Sequence, residues 1–223
     1  MAFTTVLDCA RGIKAIYKNE NFEGYELLRG FYDGKNKDIG MKAYSVGLYK
    51  HLAGFNTFML SMRGSAGGLT TKDWMDDDVS IGLGRLPDRT TDALNYTRKI
   101  QHAYPGTVII IVGHSLGGHL AQYCGVRCNL PFVTFNAPPA MGIFSGTLPD
   151  GTQGRDFKLG LNFRVNYDPV SRISGSHVGP LVTLPLNGQK HAAAHTSQCV
   201  INSVVASGLG NHGAMAEIAL RNR

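Results

Sequence analysis

A chain of 223 residues suits one domain, spanning 1–223, with a single substantial core. Hydrophobic residues at 43% against 17% charged exclude long disorder, and no apolar run approaches the roughly 20 residues of a membrane-spanning helix. The net charge of +6 suits an anionic membrane surface, but no dense basic tract with interleaved aromatics is present, so nucleic acid is not an expected partner.

The first segment, Met1 to Lys14, is broken by Asp8 and Arg11 and has no apolar signal-peptide stretch. It predicts a cytoplasmic protein, or one exported by a route that needs no signal peptide. Overlapping it, Val6, Cys9, Ile13, Ile16 and Tyr17 recur at helical spacing, which predicts an amphipathic helix over Thr4–Tyr17. Strand-like runs follow at Ala43–Tyr49 and Phe55–Met62. Ala66–Gly84 is polar and Gly-rich, with room for a short helix over Asp73–Val79. Asp88–Ala103 reads as a helix capped by Asp88, with Ala93, Leu94, Tyr96, Thr97 and Ile100 on its inner stripe, ended by Pro105-Gly106.

Val108–Val112 is an unbroken Val/Ile run, the pattern of a parallel strand buried on both faces. A helix over Leu116–Val126 and a strand over Phe132–Phe135 come next. Strands over Leu161–Asn166 and Leu181–Leu186, then helices over Ser197–Ser207 and Ala214–Leu220, complete the chain. This alternation predicts an α/β fold, a mostly parallel sheet with helices on both faces. Four cysteines (Cys9, Cys124, Cys128 and Cys199) have neither a zinc-site spacing with histidine nor a convincing disulfide pattern, and read as buried reduced thiols. No metal or cofactor is expected.

The chemistry concentrates at Gly113-His114-Ser115-Leu116-Gly117. This Gly-x-Ser-x-Gly stands between a buried strand and a helix, the setting a nucleophile elbow requires. A sharp turn raises the serine hydroxyl clear of the sheet, and small neighbours leave it room. The helix N-terminus favours a developing oxyanion, with the Leu116 amide as its first donor. The competing reading is a Gly-rich turn in which Ser115 only caps the helix. A nucleotide loop is opposed by the lack of a G-x-G-x-x-G or P-loop pattern.

Four segments together resemble the class 3 lipase family, which includes the filamentous-fungal triacylglycerol lipases. They are Leu60-Ser61-Met62-Arg63-Gly64-Ser65 with the later Asp73-Trp74 pair; Gly113 to Ala121; Val133-Thr134-Phe135-Asn136-Ala137-Pro138, with Asn136 in place of the usual Gly; and Arg164 to Val170 followed by Ser176-His177-Val178-Gly179. The resemblance spans roughly 43–205 and implies an α/β-hydrolase fold. It implies Ser115 as nucleophile, Asp168 as the triad acid in preference to Asp150 and Asp156, and Ser65 as a second oxyanion donor. Ala66–Asp78 corresponds to the family's lid, and is short and acidic at its end.

For the base, four histidines follow Asp168. His177 resembles the family's structural His-x-Gly, and His191 lies in a loop with nothing further to recommend it. His195 stands just before the last large helix and is preferred, with His212 as the alternative. His114 is read as structural, bonding to a neighbouring loop. The expected activity is hydrolysis of lipid carboxylic esters, of acylglycerols or phospholipids, at a membrane surface. A small-molecule carboxylesterase, favoured by the short polar lid, and a non-catalytic binding protein are the alternatives. Oligomeric state is not legible.

Overall fold

The computed structural model describes residues 4–32, 45–54, 56–64, 90–144, 151 and 153–222. The predicted short helix at Asp73–Val79, the Asp88 cap, Ser65 and the lid segment lie outside these residues.

The chain opens with helix α1 (Val6–Lys18). Thr5 and Asp8 form a reciprocal capping box at its start: the Asp8 amide donates to Thr5 Oγ1 at 3.0 Å and the Thr5 amide to Asp8 at 2.8 Å. Asn19, left-handed at φ 53°, ends it. Strands β1 (Tyr25–Tyr32), β2 (Ser45–His51) and β3 (Thr57–Met62) then pair antiparallel. The sequence reading missed β1. From β3 onward pairing is parallel, through β4 (Val108–His114), β5 (Phe132–Phe135), β6 (Gly160–Val165) and β7 (Leu181–Leu184). The seven strands lie in one sheet in chain order.

That order fixes the layering. Strands advancing steadily across a parallel sheet, each joined by a right-handed crossover, place every crossover on the same face. Accordingly α2 (Thr90–Ala103) and α3 (Leu116–Cys128) share one core with Ile109, Ile111 and Phe132, joined by Phe144, Phe157 and Val178 from the later connections. The opposite face is covered from the chain's two ends. There α1, α4 (Ser197–Ala206) and α5 (Ala214–Arg221) pack on Ile110, Val112, Val133, Phe163 and Val165. Strand β4 sits between both cores, so from Ile109 onward successive side chains are buried, each aliphatic one contributing roughly 1.5–3 kcal/mol. An alternating pattern would have exposed one face. The four cysteines are buried free thiols, as expected.

Candidate active site

Where β4 gives way to α3, Ser115 adopts φ 57° and ψ −134°, a backbone state that costs a non-glycine residue about 1–3 kcal/mol. The surroundings hold it there. Its amide donates to the Phe135 carbonyl of β5 at 3.2 Å, and its carbonyl accepts from the Gly118 and His119 amides at 2.9 and 3.2 Å. The turn has no room for side chains at its flanks. A Cβ on Gly113 would lie 2.3 Å from the Gly117 carbonyl oxygen, and one on Gly117 only 2.2 Å from that of Met62. The elbow's glycines are therefore required by close backbone approach.

The strain aims the hydroxyl. Ser115 Oγ lies 2.9 Å from His195 Nε2, and His195 Nδ1–H donates to Asp168 Oδ1 at 2.6 Å. The Ser171 amide holds the other carboxylate oxygen at 2.8 Å. Asp168 is buried just beyond the C-terminal end of β6, while His195 comes from the loop between β7 and α4 and keeps 14% of its side chain exposed. Burial alone would raise the Asp168 pKa. The His195 bond and charge, with Ser171, outweigh it and hold the carboxyl below its ordinary value. The predicted Ser115, Asp168 and His195 thus meet in one hydrogen-bonded chain.

His212 does not join them. Its Nδ1–H donates to Glu217 at 2.6 Å, and Arg221 bonds the second oxygen of that carboxylate at 3.2 Å. Leu116 is the first residue of α3, where a helical amide has no intrahelical acceptor. Gly64 precedes Ser65 beside the nucleophile: a Cβ there would lie 2.9 Å from Ser115 Cβ.

Two side chains fix the histidine loop: His114, expected to bond a neighbouring loop, and Asn136, to which the sequence assigns no role. His114 Nε2–H donates to the His195 carbonyl at 2.7 Å. Its Nδ1 accepts from the Tyr17 hydroxyl of α1 at 2.9 Å. Burial, with the His195 charge nearby, lowers the His114 pKa to about 3, so it bridges as a neutral ring. Asn136 follows β5 in the left-handed region at φ 50°, a backbone state that Gly and Asn adopt most readily. Its side chain donates to the Ala194 carbonyl at 2.8 Å and accepts from the Val165 amide at 2.7 Å. Consecutive carbonyls of the histidine loop are thus tied to the ends of β4 and β5. Asn in place of Gly was the sequence signal. His119 and His177 are buried, and their pKa values are lowered to about 4, chiefly by burial.

A mostly parallel sheet carrying a serine on a strained strand-to-helix turn, facing an imidazole and a buried carboxylate, is the α/β-hydrolase arrangement. The chain belongs to the phospholipase-like family, matching its Tle-like phospholipase domain over residues 19–215. Its fold is shared with fungal lipases. Lipase II from Rhizopus niveus superposes with a TM-score of 0.53 at 14% identity, covering 89% of this chain and 88% of that one. The lipase of Rhizopus microsporus var. chinensis gives 0.52 at 14% identity, with 94% and 88% covered. A triacylglycerol lipase from Penicillium expansum gives 0.50 at 16%, with 80% and 77% covered. Among curated proteins, the ATG15 protein of Mycosarcoma maydis, named as a lipase, is 46% identical over 48 residues, which is 22% of this chain and only 9% of that protein. The likeness drawn from the four segments holds for the fold and for a lipase-like family.

Proposed function

We propose that this chain hydrolyses carboxylic esters of lipids, acylglycerols or phospholipids, through Ser115, His195 and Asp168. The observation that carries the reading is the continuous chain from Ser115 Oγ through both nitrogens of His195 to Asp168, at 2.9 and 2.6 Å. Membership of a phospholipase-like family supports the lipid substrate.

In the proposed mechanism His195 takes the Ser115 proton as the oxygen attacks the ester carbonyl. Asp168 fixes the imidazole tautomer and stabilises its positive form. The Leu116 amide receives the developing oxyanion, with Ser65 as the second donor expected from the family. Each such donor is worth about 10²–10³ in turnover. His195 then protonates the departing alcohol, and water, deprotonated by the same ring, releases the acyl group from Ser115. His195 gives this second proton back to Ser115 Oγ, so the ring is neutral between the two half-reactions and each moves a single proton from the attacking oxygen to the leaving one.

A fluorophosphonate probe tests the nucleophile directly. The expected result is a single adduct on Ser115 that His195→Ala suppresses; an unlabelled serine in folded protein would favour a non-catalytic binding role. Rates on micellar and monomeric esters of matched chain length separate lipid hydrolysis from small-molecule carboxylesterase activity. A preference for the micellar form supports the lipid reading, and a preference for monomeric short esters defeats it.

A further inference from the structure

Helix α1 reaches the catalytic corner with one side chain. Its Tyr17 hydroxyl lies 2.9 Å from His114 Nδ1, while His114 Nε2 lies 2.7 Å from the His195 carbonyl oxygen. A carbonyl only accepts, so Nε2 carries the proton of the neutral ring, Nδ1 accepts, and the phenol must donate. Burial pushes the Tyr17 pKa up to about 12, so that donor proton stays in place. Both bonds therefore run one way, from α1 through the elbow to the loop of the base.

The hydroxyl has little freedom to sit elsewhere. A Cβ on Gly64 would lie 2.7 Å from it, and the Gly64 amide and the Arg63 charge both act on the same oxygen. The Arg63 guanidinium stands over the ring, 5.2 Å from its centroid. The helix behind is pinned in turn. Ser61 Oγ of β3 donates to the Gly12 carbonyl at 3.0 Å, and Lys14 Nζ donates to Gln198 Oε1 of α4 at 2.8 Å. A Cβ on Gly12 would come within 2.3 Å of Met59 Sδ, so the helix lies tight on the sheet. Tyr17 itself lies outside the family match, which starts at residue 19.

We propose that Tyr17 is a positioning residue for ester hydrolysis, holding the His195 backbone through His114 without touching the reacting atoms. This rests on the Ser115, His195 and Asp168 reading above. A donor at Nδ1 polarises the His114 ring, which strengthens its Nε2–H bond to the His195 carbonyl, and keeps the ring from turning. Because that carbonyl belongs to the base itself, loosening the bond lets the imidazole drift from Ser115 Oγ. Such misplacement lowers turnover more than substrate binding, since the alignment matters most as the proton moves.

Tyr17→Phe removes the hydroxyl alone and keeps the ring. The expected kcat on p-nitrophenyl esters is about tenfold lower, at a KM within about twofold of the parent. Rates are taken per serine titrated with fluorophosphonate, which leaves out any unfolded fraction. In His114→Ala protein the same change should move kcat by less than about twofold, because the bridge is already gone. A general structural role would multiply equally in both backgrounds. Imidazole nitrogen NMR reads the tie without turnover: in Tyr17→Phe the His114 Nδ1 signal should move toward that of an unbonded nitrogen, and its Nε2–H should exchange faster. An unchanged kcat in Tyr17→Phe, an equal fall in both backgrounds, or unmoved His114 signals beside a reduced kcat each overturn the proposal. Should His114→Ala fail to fold, the nitrogen signals decide. A parent that neither labels nor hydrolyses defeats the triad reading and the proposal with it, whereas an active parent beside an unaffected Tyr17→Phe defeats the proposal alone.

Discussion

Two histidine–carboxylate pairs of equal length stand among the described residues, and only one of these has a serine. His195 meets Asp168 at 2.6 Å, and His212 meets Glu217 at 2.6 Å. Both carboxylates are buried, and both are held below their ordinary pKa despite burial, by the bonds they accept. They differ in what lies beyond. The far nitrogen of His195 faces Ser115 Oγ at 2.9 Å, and its two flanking carbonyls are anchored by His114 and Asn136. His212 is half exposed, and its carboxylate is shared with Arg221. An imidazole paired with a carboxylate is therefore not by itself a base. A hydroxyl aimed at the opposite nitrogen and a backbone that cannot drift distinguish the two corners.

The contrast breaks most sharply at the nucleophile. Ser115→Ala and His195→Ala should each lower kcat on p-nitrophenyl esters by about 10⁴ or more, and the double variant should cost little beyond either alone, because groups acting as a unit are not additive. Independent, multiplying losses would mean that the two do not act together. Next is Asp168→Asn, which keeps the shape but presents the wrong partner to His195 Nδ1, with an expected loss of roughly 10³–10⁴ in kcat at nearly constant KM. A loss confined to KM would remove Asp168 from the triad.

The anchoring of the loop gives an effect on stability. Asn136→Gly keeps the left-handed backbone but strips partners from the Val165 amide and Ala194 carbonyl, costing about 2–4 kcal/mol in urea unfolding. Asn136→Ala should cost about 1 kcal/mol more, because a Cβ is disfavoured at φ 50°. If the two variants were equally stable, the backbone argument would fail. In whatever Asn136→Gly protein remains folded, kcat should fall while KM holds, because the loop carries the base.

Acid should separate the two corners from the surrounding core before either carboxylate titrates. His114, with a pKa lowered from 6.5 to about 3, and His119 and His177, lowered to about 4, must be neutral when folded. The unfolded chain therefore binds more protons below pH 6.5, and stability falls as pH drops from there toward 4. Asp168 and Glu217, with lowered pKa values, contribute stability that is present above the ordinary carboxylate range and lost only as pH falls through it. Urea midpoints should thus begin to decline near pH 6.5. A plateau held down to pH 4.5 would show that the three rings are solvated.

Much of this was legible in the chain because it rests on local chemistry. The unbroken Val/Ile run announced a strand buried on both faces, and glycines around Ser115 announced a turn too tight for side chains. Strand β1 was missed because its place depends on pairing with β2, a partner about twenty residues away, and not on its own pattern. The base could be narrowed only to His195 or His212, since both precede helices and which imidazole reaches Ser115 is a matter of tertiary distance. His114 was read as bonding a neighbouring loop. That its partner is the His195 carbonyl joins residues 81 positions apart, and no motif encodes such a tie.

The smallest expected effect is the most discriminating for the comparison. His212→Ala removes one of the two hydrogen-bond partners of buried Glu217 and leaves Arg221 in place, so the loss should stay near 1 kcal/mol, discounted because the imidazole is half exposed. Turnover should stay within about twofold of the parent, since among the described residues the His212 ring makes no hydrogen bond to Ser115, His195 or Asp168. The same change at His195 removes the only imidazole bonded to the serine hydroxyl among the described residues. A hundredfold loss of kcat in His212→Ala, at an unchanged melting temperature, would transfer the role of base to His212. Equal small losses at both histidines would mean that the serine is activated by neither.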